Sequence, residues 1–244
     1  ELIYMGSEKF DVVIVGAGPA GLSTAIKLKQ LAEEKRTDLA VCIVEKGSEV
    51  GAHILSGAVF EPRALDELLP DWQQNNAPLN TPVTEDRFLW LTQKRAFKLP
   101  TPRPMRNHGN YIISLGNLCR WLAQQAEALD VEIYPGFAAT APVYDEQGNI
   151  KGIATGDMGI NKQGEKTDRY EPGIEIHAKQ VVLAEGCRGS LSKQIIQQYH
   201  LDADCDPQTY AIGIKELWEV PAEQHQQGLV LHSVGWPLDT KTYG

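Results

Sequence analysis

The stretch from Phe10 to Glu45 limits the possible folds of this chain more than any other part of it. Residues 10–15 and 39–44 are apolar runs rich in β-branched side chains, which are typical of strands. Between them, a glycine-rich loop leads into a segment whose apolar residues recur at helical spacing. The loop residues are Gly16, Ala17, Gly18, Pro19, Ala20 and Gly21. The order of strand, G-x-G-x-x-G loop, helix and strand is that of a βαβ unit that binds dinucleotides.

Each part of this unit has a physical task in nucleotide binding. Gly16 would allow the tight turn, Gly18 would let the backbone approach a pyrophosphate, and Gly21 would let the helix pack closely on the strand. The free N–H groups at the start of the helix would hold the phosphate charge. Glu45 is placed to accept hydrogen bonds from both ribose hydroxyls and would repel a 2′-phosphate, and Lys46 beside it is a further predicted contact. These residues leave both FAD and NAD possible.

A second strand–turn–helix pattern lies much later in the chain. The apolar run 180–183 leads into Ala184, Glu185 and Gly186, and a helix is predicted over 190–199. A strand and helix that only close the sheet are the alternative interpretation. Two separate contact turns suit an extended FAD better than a nicotinamide dinucleotide, so the sequence favours FAD.

Residues 46–58 are rich in glycine, serine and alanine. In an FAD protein, the segment after the second strand commonly runs beneath the flavin ring, where small residues leave room for it. An ordinary loop is the alternative, and His53 is either a cofactor neighbour or a surface residue.

The whole pattern predicts an α/β protein, with a Rossmann-like FAD-binding domain, a β-meander and an inserted α+β domain. Helices are predicted over 61–69, 118–129 and 190–199, and hairpins over 88–99 and 141–155. Further strands are predicted over 174–177, 180–183, 212–220 and 228–237.

Composition excludes several classes of protein. The net charge of -9 argues against a surface that binds nucleic acid. The four cysteines are scattered without a C-x-x-C pair and offer neither a zinc nor an iron–sulfur site; they are Cys42, Cys119, Cys187 and Cys205. We expect them to be buried thiols in a reducing compartment.

No apolar run approaches the roughly 20 residues that span a bilayer, and no signal peptide is visible. We therefore expect a soluble or peripheral protein on the cytoplasmic side. The sequence contains no Ser-His-Asp set, credible pair of carboxylates or metal motif, so no catalytic residue and no metal ligand is predicted. Electron transfer needs none of these, because the redox chemistry belongs to the cofactors.

Several longer strings closely resemble the electron transfer flavoprotein–ubiquinone oxidoreductase family. They are residues 51–58, 77–86, 107–111, 210–218 and 234–239, and the resemblance covers nearly the whole chain. Members of that family carry FAD, a 4Fe–4S cluster and a quinone site. They pass electrons from reduced electron transfer flavoprotein to ubiquinone at the membrane surface.

The resemblance implies FAD contacts at the glycine loop, Glu45, the Ser56-Gly57 turn and the turn around Glu185. It implies that the FAD-binding domain comprises residues 1–80 and 114–205, and the ubiquinone-binding domain residues 81–113 and 206–244. The segments 97–105 and 228–244 would lie in the quinone and membrane-contacting region. The expected location is the cytoplasmic face of a bacterial inner membrane, or the matrix side of the mitochondrial inner membrane in a eukaryote.

The family's cluster cysteines lie beyond the point where this chain ends. The chain is therefore expected to be the front part of a longer protein, and to be inactive and without the 4Fe–4S cluster when alone. Two alternatives stay open: another FAD enzyme of the hydroxylase or prenyl reductase type, and a non-catalytic flavin-binding module.

Overall fold

The computed structural model describes residues 7–54, 57–161, 163–211 and 213–239, which pack as two compact units. The first unit comprises residues 1–55 and 119–213, and the second comprises residues 56–118 and 214–244. These two units are defined by their internal packing. The boundaries of the FAD-binding and ubiquinone-binding domains at residues 80, 113 and 205 stay a prediction.

The first unit is built on a six-stranded sheet. Its strands are β1 (Ser7–Val15), β2 (Val41–Glu45), β8 (Val131–Pro135), β9 (Ala139–Tyr144), β10 (Ile150–Thr155) and β13 (Glu175–Leu183). The order across the sheet is β8-β2-β1-β13-β10-β9. The first four are parallel, and β10 and β9 continue the sheet in antiparallel pairing. The predicted meander is thus an extension of the parallel sheet.

Helices cover both faces of the parallel strands. Ile14 lies against Gly21 in helix α1 (Pro19–Glu34). Val13, by contrast, belongs to a buried cluster that includes Leu191 of helix α4 (Ser190–Tyr199). Because successive side chains of a strand point to opposite faces, both faces of β1 are buried, and the strand reads as a continuous apolar run.

The second unit contains two three-stranded sheets. One consists of β3 (Gly57–Phe60), β4 (Thr81–Pro82) and β7 (Tyr111–Ser114), and the other of β5 (Glu85–Leu91), β6 (Ala96–Leu99) and β14 (Leu229–Gly235). The order of the second sheet is β14-β5-β6. Strands β5 and β6 form the predicted hairpin, and β14 joins β5 in parallel across a long separation in sequence.

The remaining elements are short or connect the sheets. They are helices α2 (Arg63–Leu68) and α3 (Leu115–Glu127), the hairpin of β11 (Met158–Ile160) with β12 (Lys166–Glu171), and 3₁₀ turns at Arg103–Met105 and Ala222–Gln224. The backbone N–H of Asn117 donates to Ser114 Oγ at 3.3 Å, which caps the start of α3.

The predicted strands 174–177 and 180–183 form one continuous strand. Strand β13 pairs with β1 from Glu175 to Leu183, whereas only its first residues pair with β10. The polar break between the two apolar runs does not end the strand, because Lys179 is exposed and its Nζ lies 2.6 Å from a carboxylate oxygen of Asp11. The hydrogen-bonded ladder with β1 therefore overrides the local sequence pattern.

The strand predicted over 212–220 is wrong for the residues that the structure describes. Residues 213–220 form no regular element, and Ile214 and Leu217 are 89% and 102% exposed. β-branched and aromatic residues favour a strand only where a neighbouring strand and a covering surface are available. Among the described residues, no strand pairs with this segment.

Candidate dinucleotide-binding site

Three neighbouring parallel strands bring the predicted contact turns together at their carboxyl ends. The glycine loop follows β1, Glu45 ends β2, and Ala184 follows β13. Two backbone hydrogen bonds join these ends: Gly16 N donates to Val44 O, and Ala184 N donates to Val15 O, each at 2.8 Å. In open α/β sheets this edge is where ligands bind.

The glycine loop is packed too closely for larger residues at two positions. Gly16 has a φ of +106°, and a Cβ there would lie 2.5 Å from Ala184 O. A Cβ on Gly21 would lie 2.0 Å from Gly16 O. Gly18 differs from both, since a Cβ there would meet no atom within 4 Å. Gly16 and Gly21 thus allow the turn and the close packing of α1, whereas Gly18 leaves the loop open on its outer side.

The Glu45 carboxylate holds the glycine loop against the end of β2. Ala17 N donates to Oε2 at 2.9 Å, and Gly47 N donates to Oε1 at 2.7 Å. The end of the neighbouring strand β8 is linked to the same region, since Gly136 N donates to Gly47 O at 2.7 Å. The sequence did not indicate these bonds, because it fixes neither the side-chain direction of Glu45 nor the position of Ala17 N. Each carboxylate oxygen accepts more than one bond, so the predicted ribose contacts remain possible.

Glu185 serves as the cap of helix α4. The N–H groups of Ser190 and Leu191 donate to Oε1 at 3.0 and 3.1 Å, and Ser192 donates to Oε2 from both N and Oγ at 2.8 and 2.7 Å. Gly189, at the N-cap position, has no side chain for this task. Burial alone would raise the pKa of Glu185, but the hydrogen bonds outweigh it, and the pKa lies below that of an ordinary glutamate. Four donors and the helix dipole thus favour a charged carboxylate beside the site.

The other predicted contacts lie in varied surroundings. Pro19, Ala20 and Lys46 are exposed, Gly186 has a φ of +81° with open space around it, and Gly57 begins β3 in the second unit. Ser56 lies outside the described residues. His53 is exposed in a turn.

The expectation of four buried cysteines is wrong for two of them. Cys42 and Cys119 are buried, whereas Cys187 and Cys205 are exposed, and all four are free thiols. Cys187 follows β13 in the exposed turn before α4, and Cys205 follows α4, so neither lies on a face that packs. Burial raises the pKa of Cys119 to about 11, which keeps its thiol protonated near neutral pH.

The described residues contain neither a membrane-spanning helix nor a candidate metal cluster. No helix there is long and apolar enough to cross a bilayer. Nor do those residues contain a cluster of three or more His, Cys, Asp or Glu side chains suited to a metal ion.

Comparisons with known proteins show what this chain is similar to. Residues 14–70 match the model described as "NAD(P)-binding Rossmann-like domain", and residues 210–244 match "ETF-QO, ubiquinone-binding". A curated relative named "Electron transfer flavoprotein-ubiquinone oxidoreductase, mitochondrial", from Dictyostelium discoideum, is 57% identical over 100% of this chain. Its namesakes from Pseudomonas aeruginosa and Bos taurus are 58% and 55% identical over 97% and 98% of the chain.

Over the length that it shares with these relatives, the chain is highly similar to electron transfer flavoprotein–ubiquinone oxidoreductases. It covers 40%, 44% and 39% of those three relatives, so it spans about two fifths of their length.

Solved structures support the fold class of this chain. A geranylgeranyl bacteriochlorophyll reductase-like protein from Thermoplasma acidophilum is similar with a TM-score of 0.60 and 16% identity, covering 95% of this chain and 51% of that one. The myxobacterial chondrochloren halogenase CndH is similar with a TM-score of 0.54 and 16% identity, covering 76% and 39%. The predicted α/β Rossmann-like fold is confirmed.

Replacement of Glu185 by glutamine should destabilise the protein in a pH-dependent way. Near neutral pH we expect a loss of about 1–2 kcal/mol in the free energy of unfolding, because a neutral amide is a weaker cap than a carboxylate. The pKa of Glu185 is lowered by folding, so its stabilisation is present above the unfolded value of about 4.3 and is lost as the pH falls through the folded value. Denaturant titrations across the acid range measure this difference.

Glu146→Gln, in the exposed turn between β9 and β10, is the matched control and should change stability little at any pH. A stability difference for Glu185→Gln that stays constant from neutral to strongly acidic pH would contradict the capping role.

Proposed function

We propose that this protein is a flavoprotein oxidoreductase that takes electrons from reduced electron transfer flavoprotein and passes them through FAD to ubiquinone. The observation that carries the proposal is the joint occurrence, in one chain, of a dinucleotide fold and a segment that matches a ubiquinone-binding family. Relatives at 55–59% identity that bear the oxidoreductase name support it. The resemblance further implies a 4Fe–4S cluster held by cysteines outside residues 1–244, which iron and sulfide analysis of the intact protein would test.

The residues at the carboxyl edge of the sheet fit FAD. The open outer side of Gly18, at the start of α1, suits a pyrophosphate, and Glu45 has oxygens left for the ribose hydroxyls. We assign the further contacts to Ser56-Gly57, Lys46 and the turn 184–186. Bound FAD would supply the redox chemistry, and these residues would bind and orient it.

The electron donor separates this proposal from its main alternative. A hydroxylase or prenyl reductase on the same fold would accept hydride from NADPH, whereas an electron-transferring flavoprotein dehydrogenase would not need it. We expect anaerobic stopped-flow measurements on the intact protein to show rapid bleaching of the flavin by reduced electron transfer flavoprotein and negligible bleaching by NADPH. The opposite pattern would favour the hydroxylase type, and bleaching by neither would favour a non-catalytic flavin-binding module.

A peripheral membrane contact is proposed for the tip of the β5–β6 hairpin. Trp90 and Phe97 face each other across the hairpin, with ring centroids 6.1 Å apart, and are 48% and 45% exposed. Trp236 lies beside the same tip, where its backbone N–H donates to Leu91 O at 3.0 Å, and its side chain is 53% exposed. Exposed aromatic side chains are suited to the boundary between lipid and water.

The charges of this sheet support the same contact. On the opposite face Arg87 makes two bonds of 2.7 Å to Glu85, so this ion pair lies away from the aromatic pair. Lys94 and Arg95 form the exposed turn of the hairpin and suit anionic lipid head groups. Ubiquinone resides in the bilayer, so a lipid-facing tip would give it access. The side of the membrane is proposed to be the cytoplasmic side in a bacterium or the matrix side in a mitochondrion.

The double variant Trp90→Ser/Phe97→Ser should bind vesicles roughly tenfold more weakly, because it lacks the two aromatic side chains whose transfer from water into the lipid boundary favours binding. Flotation of the intact protein with vesicles that contain anionic lipid measures this change. Leu231→Ser is the control, since Leu231 is 45% exposed on the opposite face of the same sheet and should be neutral. Equal flotation of the double variant and the wild type would show that the hairpin does not make the membrane contact.

A further inference from the structure

One buried side-chain nitrogen in the second unit has no partner. Among the described residues, the Nε2 atom of His232 is removed from solvent and makes no hydrogen bond. His232 lies on β14, within the segment 210–244 that matches the ubiquinone-binding family. Removal of a ring nitrogen from water without a replacement bond costs free energy, so the atom points to a ligand that completes the bond.

The surroundings of His232 are apolar and aromatic. It pairs with Phe88 on β5, and the next pair on the same face is Val234 with Trp90. Directly paired residues on neighbouring strands share a face of the sheet. Asp86 is the carboxylate on this face of β5, and it already accepts from Asn107 N at 2.7 Å and Asn107 Nδ2 at 2.8 Å. A single hydrogen-bonding nitrogen thus lies on an aromatic surface, and the nearby carboxylate makes no hydrogen bond to it.

A quinone head group is complementary to this arrangement. It is a flat ring that packs against aromatic side chains, and its two carbonyl oxygens accept hydrogen bonds. A carbonyl oxygen also gains negative charge as electrons arrive, which strengthens a bond from a fixed donor in an apolar site.

We propose that His232 donates a hydrogen bond from Nε2 to one carbonyl oxygen of the bound quinone and transfers a proton to it during reduction. This inference rests on the proposed quinone reductase function. Two electrons, delivered from reduced electron transfer flavoprotein through the protein's redox centres, and two protons convert the quinone to the quinol. At one oxygen the Nε2–H bond breaks and an O–H bond forms, while Nδ1 of the same ring takes up a proton from solvent. The second oxygen takes its proton from water.

Two substitutions in the intact protein separate binding from proton transfer. His232→Leu keeps the apolar packing and removes the donor, whereas His232→Gln keeps a donor that does not transfer a proton. With a short-chain ubiquinone as acceptor, we expect kcat to fall about 100-fold in both variants, as for the loss of a general acid. KM should rise about tenfold in His232→Leu and much less in His232→Gln.

Three readouts guard against a structural explanation. FAD content, thermal unfolding and the rate of flavin reduction by reduced electron transfer flavoprotein should match those of the wild type. His225→Leu, an exposed histidine of the same unit, is the matched control and should retain full quinone reduction.

Wild-type kcat and KM in His232→Leu would overturn the assignment. If that variant does not fold, His232→Gln decides it, and an unchanged kcat there overturns the proton transfer. A wild-type protein whose flavin is reduced but which reduces no quinone would instead refute the proposed function, and this inference with it.

Discussion

The carboxylate of Glu45 is the interaction on which the candidate site depends. It links Ala17 in the glycine loop to Gly47 after β2, and through Gly47 the end of β8 is fixed as well. The carboxylate is partly buried and accepts hydrogen bonds from two backbone N–H groups, which hold the loop in place. The space beside Gly18 stays free of protein atoms. The loop is therefore rigid where it packs on the sheet and open on the side that a phosphate would approach. This arrangement prepares a backbone surface for an anionic ligand before the ligand arrives.

A second carboxylate acts in the same way two strands along the sheet, at Glu185. There a carboxylate from the turn after β13 takes the N–H groups at the start of α4. Both glutamates lie at the carboxyl ends of parallel strands, and both accept hydrogen bonds from backbone N–H groups that would otherwise bond to solvent. The difference lies in what remains available: Glu185 is committed to four donors, whereas each oxygen of Glu45 holds one. Glu45 is therefore the better placed of the two to contact a nucleotide.

Much of the first unit could be predicted from sequence because its signals are local. The glycine spacing, the apolar runs around it and the helix at Pro19 follow from steric rules that act within a few residues. The cap by Glu185 could not be predicted because the sequence does not fix the direction of that side chain, and the continuity of β13 could not be predicted because it depends on pairing with β1, which is distant in sequence. The wrong strand at 213–220 has the same origin: Leu217 and Trp218 have strand-forming character, but no strand among the described residues pairs with them.

The second unit combines a charged and an aromatic face on one small sheet. Glu85 and Arg87 are paired on one side, and Phe88, Trp90 and Phe97 lie on the other. Such a division suits a protein that meets lipid and a lipid-soluble acceptor on one face and water on the other. His232 is the polar exception on the aromatic face of β14, which is why its buried nitrogen carries functional meaning.

Identification of the bound cofactor tests the account most directly. The intact protein should release about one equivalent of FAD on denaturation, measured by its absorbance and mass. With FAD removed from both proteins, Gly18→Ala should unfold at the wild-type temperature, because a Cβ there meets no protein atom. It should nevertheless retain little FAD when purified, because that methyl group fills the space left for the pyrophosphate. Release of NAD in place of FAD, or undiminished FAD in a folded Gly18→Ala variant, would contradict the account.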